Sequence, residues 1–291
     1  MTDLARSRRL GFTILRIGLM VCVGLAIYVK LSENRLIFYP SRKLNGAPRV
    51  PFENVAFTAD DGTRLSGWLI PFKESSQVFV ISHGNAGNIG DRYEMGEFVH
   101  RQFRTNVFMY DYRGYGASDG SPSESGLYSD LQGALLYMRS RGFDNDNTFL
   151  IGQSLGTAVV VDVATREQVA GIILEAPFTS VAAVARKIVH VPIGFLFSTR
   201  FDSLSKIREV KAPVVVIHAT NDPVIPFELG LQLFKAIVGP KDVFHRWPIP
   251  RGSDDGDETG RNQRNPRFPS EPDKVASVTE SLAKPVYLGI M

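Results

Sequence analysis

Two kinds of apolar pattern alternate along most of the chain. Residues 78–82, 106–110, 148–151, 171–175 and 213–218 are short unbroken apolar runs such as Val78-Phe-Val-Ile-Ser82 and Pro213-Val-Val-Val-Ile-His218. Such runs suit strands buried on both faces of a parallel sheet. Longer segments between them, at about 91–103, 125–141 and 154–166, carry a helical pattern. Strands alternating with helices predict a mostly parallel sheet with right-handed crossovers and helices on both faces. Ahead of this region, Glu53-Asn-Val-Ala-Phe-Thr58 alternates apolar and polar residues. Asp60-Asp61-Gly62 then supplies a turn, and Leu65-Ser-Gly-Trp-Leu-Ile70 returns. That combination predicts an antiparallel hairpin at the start of the domain. Residues 181–210 carry no strand signal between two core strands, and a small cap insertion over a site is expected there.

The N-terminus breaks the alternation. Arg6, Arg8 and Arg9 precede an apolar stretch running from Leu10 to Val29, with Arg16 its one charged residue. About 20 apolar residues suffice to span a bilayer, and Arg16 lies near enough to one end to snorkel. No small-residue cleavage site follows, so an uncleaved signal anchor is expected rather than a signal peptide. The arginines before the stretch favour a cytoplasmic N-terminus. Lys30, Arg35, Arg42 and Lys43 on the other side weaken that orientation, which would place the domain outside the cytoplasm. Residues 32–50 read as an extended linker, with Leu36, Ile37, Phe38 and Tyr39 packing on the domain or lying at the membrane surface.

Composition changes this picture little. The net charge of +3 is small against 33 basic and 30 acidic residues, with no basic patch interleaved with aromatics, so nucleic acid is not an expected partner. Cys22 is the only cysteine. It excludes an intramolecular disulfide or a cysteine zinc site, and neither metal nor cofactor is expected.

The chemistry centres on Phe149-Leu-Ile-Gly152-Gln-Ser154-Leu-Gly156. An apolar strand runs into Gly-x-Ser-x-Gly and a helical run follows, the pattern of a nucleophile elbow. The serine needs a tight strand-to-helix turn. Gly152 and Gly156 let the two backbones pass closely, and the N–H of Leu155 is left to face a developing oxyanion. A hydroxyl nucleophile needs a base, and the base needs an orienting acid. In this topology the acid follows a later strand, where Asp222 sits in His218-Ala-Thr-Asn-Asp222-Pro-Val-Ile-Pro226. Asp202 and Glu175 are reserve acids. The loop after strand 78–82, His83-Gly84-Asn85-Ala86-Gly87, is expected to supply a second oxyanion N–H, from Asn85 or alternatively Ala86. His83 is read as orienting that loop and not as a base.

These stretches resemble the α/β-hydrolase superfamily, and within it the membrane-anchored serine hydrolases of the bud-emergence and depalmitoylase-type (ABHD) branch. The resemblance also rests on Asn34-Arg-Leu-Ile-Phe-Tyr-Pro40, Asp111-Tyr-Arg-Gly-Tyr-Gly-Ala-Ser-Asp-Gly120, Leu174-Glu-Ala-Pro-Phe-Thr-Ser180 and Phe201-Asp-Ser-Leu204. It covers roughly residues 34–240. It implies a carboxylic ester or thioester hydrolase with Ser154 as nucleophile, Asp222 as acid, and Asn85 with Leu155 as the oxyanion hole. A small-molecule or lipid-like acyl group would be the substrate.

The same resemblance requires a histidine near position 251, after a last core strand. Position 251 is an arginine, and His245 is the only histidine beyond Asp222. Val243-Phe244 leaves room for little strand before His-Arg-Trp-Pro-Ile-Pro250, so the last strand and helix are expected to be missing or altered. Three readings remain. His245 serves as base from a shortened strand, the chain departs from its reading frame after about 240, or the protein is a pseudo-hydrolase acting as a membrane-tethered binding scaffold. The organisation expected is thus a tail at 1–9, an anchor at 10–31, a linker at 32–50 and a hydrolase domain at 51–246 with its cap at 181–210. Residues 247–291, polar and dense in Gly and Pro, are expected to be disordered.

Overall fold

The computed structural model describes residues 2–189 and 197–247. In chain order the elements are α1 (Thr2–Ile37), β1 (Tyr39–Pro40), β2 (Glu53–Thr58), β3 (Arg64–Ile70), β4 (Val78–Ser82), β5 (Ala86–Gly87) and α2 (Tyr93–Phe103). There follow β6 (Asn106–Tyr110), α3 (Glu124–Ser140), β7 (Thr148–Gln153), α4 (Leu155–Ala164), β8 (Gly171–Glu175), α5 (Val181–Val189) and α6 (Ser203–Lys206). The described chain ends with β9 (Val214–Ala219), α7 (Phe227–Ala236) and β10 (Lys241–Trp247).

Among the described residues the main sheet has the order β10-β9-β8-β7-β4-β6-β3-β2. The hairpin partner β3 joins β6 antiparallel, and every pair from β6 to β10 is parallel. The apolar runs behave as their composition requires. Every residue of β4 and β6 is buried, because helices cover both faces of the sheet. Leu127, Leu131, Val159, Val163, Leu229 and Leu233 bring α3, α4 and α7 to one face. Met95 and Val99 of α2 cover the other, against Phe79, Val107 and Ile151. All ten residues of α4 are buried, so the helix behind the elbow is the innermost of the domain.

Three features differ from the sequence-based expectation. First, α1 continues to Ile37, so the extended segment begins at Phe38 and not at 32. The reason is packing. Val29, Glu33 and Ile37 fall four apart on one helical stripe and are buried against the domain, while Phe12, Leu15, Leu19, Val23, Ile27 and Tyr28 present their apolar side chains outward. The span Gly11–Ile37 is apolar and long enough to cross a membrane, at about 40 Å for 1.5 Å per residue. Second, the last strand is present. β10 pairs parallel with β9 through six of its seven residues, with a register shift between Asp242 and Phe244. Third, α7 follows the acid loop, where the sequence, its short apolar pattern broken by Gly230, predicts no helix. The tail at 248–291, position 251, and cap residues 190–196 lie outside the described residues.

Candidate active site

Ser154 lies between β7 and α4 at φ 49°, ψ −112°, a backbone region costly for any residue with a side chain. Its surroundings enforce that geometry. The Ser154 N–H donates to the Glu175 carbonyl at 2.8 Å. Its own carbonyl accepts from the Thr157 N–H at 3.0 Å and from the Thr157 hydroxyl at 2.6 Å. The flanking glycines are sterically required. A Cβ on Gly152 would stand 2.6 Å from the Gly156 carbonyl oxygen, and one on Gly156 would stand 2.0 Å from the Ser82 carbonyl oxygen. Strand, helix and the neighbouring strand end therefore converge under the serine, which the turn lifts to the sheet edge.

The loop after β4 runs against this turn: a Cβ at Gly84 would lie 3.7 Å from the Ser154 Cβ. Two of its peptide planes are fixed from opposite ends. His83 Nδ1 lies 2.7 Å from the Gly84 carbonyl oxygen. A carbonyl only accepts, so Nδ1 carries the proton. Because carbonyl and N–H point oppositely across a trans peptide, this bond aims the Asn85 N–H. The Asn85 carbonyl in turn accepts from the Tyr115 hydroxyl at 2.7 Å and the Tyr39 N–H at 3.2 Å, which aims the Ala86 N–H. On the other side, the Leu155 N–H opens α4 and has no intrahelical acceptor. The loop thus offers two oriented amides, and Leu155 one more, beside the serine.

His83 supports the loop through Nδ1, while its buried Nε2 makes no hydrogen bond. It is buried against Tyr112 and Tyr115, and burial drives its pKa down to about 4. Its Nε2 faces Asp111 Oδ1 at 3.6 Å, beyond hydrogen-bond length. Burial also pushes the Asp111 carboxyl up to about 7. A neutral imidazole forms no salt bridge, so this approach is not an ion pair.

The acid loop is equally ordered. Asp222 Oδ1 accepts from the N–H groups of Val224 and Ile225, both at 2.8 Å. Its Oδ2 lies 3.8 Å from His218 Nε2, which instead bonds to the Ile225 carbonyl at 2.9 Å. One carboxylate oxygen is thus tied into the loop, and the other lies on the side of His218, with the Asp222 side chain largely buried. His218, missed in the sequence, closes the loop by bridging β9 to Ile225. Of the reserve acids, Asp202 caps α6 by accepting from the Ser205 N–H.

Glu175 sits closer to the elbow. It pairs in register with Gln153 on one side and Ile217 on the other. Burial pushes its carboxyl up to about 7, against a hydrogen bond from Gln153 and the charge of Arg92 that act to lower it; the charge of Asp222 raises it further. Arg92 Nε also donates to Gln153 Oε1 at 3.1 Å. Arg92, Gln153 and Glu175 therefore form a polar chain beneath Ser154.

Among the described residues, the candidate base His245 is placed by its backbone register. His245 lies within β10, in register with Ile217. Ile217 is level with Glu175 and Gln153, so three strand spacings, about 14 Å, separate His245 from the elbow strand. His100 bonds to the Thr105 carbonyl at the end of α2, and His190 lies outside the described residues. Among the described residues no group of three or more His, Cys, Asp or Glu side chains is placed to hold a metal ion.

Similarity to known proteins agrees with this geometry. The serine aminopeptidase S33 family of hydrolases matches residues 73–205. Escherichia coli YfhR is 35% identical over 231 residues, covering 76% of this chain and 79% of YfhR. Mouse alpha/beta hydrolase domain-containing protein 17C is 36% identical over 232 residues, covering 79% of this chain and 69% of the mouse protein. The Pyrococcus furiosus esterase Pf2001 superposes with a TM-score of 0.60 at 17% identity, over 72% of this chain and 88% of the esterase, a likeness of fold. The elbow, the sheet order around it and relatives matched over most of their length lead to one assignment: the chain belongs to the α/β-hydrolase superfamily and resembles its ABHD branch.

Proposed function

We propose that the protein is a membrane-anchored serine hydrolase that cleaves a carboxylic ester or thioester through an acyl-enzyme. The observation that carries this is Ser154, held at positive φ between two glycines that tolerate no Cβ, with the Gly84–Ala86 loop against it. In the proposed reaction the Ser154 hydroxyl attacks the acyl carbon and its proton passes to a base. The oxyanion is received by the Leu155 amide and the loop amide of Asn85, with Ala86 as the alternative. The alcohol or thiol leaves, and water then releases the acyl group. Asp222 orients the base. The apolar helix α1 supports anchoring, and an acyl chain near lipid suits the proposed substrate class.

A second reading rests on one specific observation, the distance of His245 from the elbow strand. On that reading the chain retains a hydrolase scaffold for binding and turns nothing over. Hydrolysis of p-nitrophenyl butyrate and of an acyl thioester separates the two. Hydrolysis is expected to exceed that of Ser154→Ala by at least tenfold. Added imidazole is expected to raise the Ser154-dependent rate further, because a positioned base is worth roughly 10²–10⁴ and the register sets His245 three strands from the elbow strand. His245→Ala is expected to change the rate less than twofold. If the full chain and Ser154→Ala hydrolyse equally, with and without imidazole, the scaffold reading stands and the enzyme reading is wrong.

A further inference from the structure

We infer that the segment by which the apolar helix leaves its span, residues 37–43, is a working part of the oxyanion site, and that the Asn85 side chain is the positioning residue that couples them. This inference rests on the serine-hydrolase reading. The contacts run along both strands of the short parallel ladder. Asn85 Nδ2 donates to the Ile37 carbonyl, the last residue of α1, at 2.8 Å. Tyr39 N–H donates to the Asn85 carbonyl at 3.2 Å and Ser41 N–H to the Gly87 carbonyl at 3.0 Å, with Tyr39 and Ala86 in register. Asn88 Nδ2 then donates to the carbonyls of Ser41 and Lys43, at 3.0 and 2.7 Å.

The helix end itself is fixed to the domain. Ile37 and Phe38 are buried. Phe38 packs edge-on against Phe201, at 6.2 Å between ring centroids, and the Glu33 carboxylate accepts from the Thr199 N–H. Both partners belong to the return segment of the cap. One helix end therefore touches the oxyanion loop through Ile37 and the cap through Glu33 and Phe38.

The physical consequence follows from the peptide planes. The Ile37 carbonyl is one of the last four of α1, which have no intrahelical donor. Asn85 satisfies it and in doing so ties the loop to the helix. Without that bond, only the Tyr115 hydroxyl and the Tyr39 amide would hold the Asn85 carbonyl, and with it the opposed Ala86 N–H. An oxyanion donor acts only if it is aimed before charge develops. Loosening the loop should therefore weaken transition-state binding more than ground-state binding.

Asn85→Ala tests this, since it deletes the side-chain amide and keeps the backbone N–H. In the full chain, kcat for p-nitrophenyl butyrate is expected to fall roughly tenfold with KM unchanged, the signature of an interaction made only in the transition state. Amide hydrogen exchange in peptides spanning 38–43 and 84–88 is expected to quicken together, while exchange in β7 and α4 stays as it was. A rise in KM with kcat unchanged, or unaltered exchange at 38–43, overturns the inference. If the full chain shows no Ser154-dependent turnover, the hydrolase reading fails and with it the assignment of these amides to an oxyanion. The exchange arm then decides the coupling alone: joint quickening supports a helix-to-loop clamp, and unaltered exchange removes it.

Discussion

Gly156→Val is expected to cost more than about 4 kcal/mol of stability, which few single substitutions reach and which would leave little native protein. The atoms that would meet the new side chain are backbone: the Ser82 carbonyl oxygen at 2.0 Å and the His83 carbonyl oxygen at 2.8 Å from an ideal Cβ. Neither can rotate away as a side-chain tip would. Moving α4 outward would break its packing along both α3 and β7, where every residue of the helix is buried. Relief by moving β4 would displace the Gly84 turn from Ser154. The matched control is Gly18→Ala in α1, where nothing lies within 4 Å, and it is expected to change stability by less than about 0.5 kcal/mol. Denaturant unfolding in detergent checks both. Retained native stability in Gly156→Val would mean that strand and helix do not pass as closely as described.

The second large effect is a pH dependence carried by Glu175. Burial raises its carboxyl to about 7 in the folded protein, against an ordinary value of 4.5. The folded state thus holds this proton over a range where the unfolded chain has lost it. The contribution to stability is complete below about 4.5 and is lost as pH rises through about 7. Its size is on the order of 3 kcal/mol for a group removed from solvent. Asp111 and Asp130, raised to about 7 and about 6, act in the same direction, whereas His83, lowered to about 4, acts oppositely. Comparison with Glu175→Gln isolates the one group. From pH 5 to pH 8 the unmodified chain is expected to lose stability relative to Glu175→Gln, by chemical unfolding at each pH. Parallel curves for the two proteins would place the Glu175 carboxyl in solvent contact.

The parts of this fold that were readable in the sequence are those fixed locally. Val78–Ser82 and Asn106–Tyr110 are continuous apolar runs because both faces are covered, and the covering helices are recognisable beside them. Gly152 and Gly156 mark the elbow because no other residue fits there. The Asp222 loop was legible from its place after a core strand. Its Asx-type bonds to Val224 and Ile225 give the physical reason for Asp at that position.

What was not legible depends on distant partners. The end of α1 is set by burial of Val29, Glu33 and Ile37 against a domain whose cap lies over 150 residues away. A local reading ends the anchor at 31, where the apolar run stops. The β1–β5 ladder is two residues long and leaves no periodicity. β10 reads as too short because only Val243-Phe244 is apolar before His245-Arg-Trp-Pro248, and α7 is hidden by Gly230, whose Cβ would strike His218. The role of Glu175 beneath the serine likewise follows from sheet register, with its partner Gln153 a whole helix away in sequence but adjacent in space.

The account turns on Ser154 as the nucleophile. The direct measurement is reaction of the full-length protein in detergent with a fluorophosphonate, followed by mass spectrometry of the peptide spanning 148–166. One phosphonyl adduct on Ser154 is predicted, absent from Ser154→Ala and suppressed when either protein is unfolded first. A folded chain that takes up no adduct, or takes it up at another residue, contradicts the account.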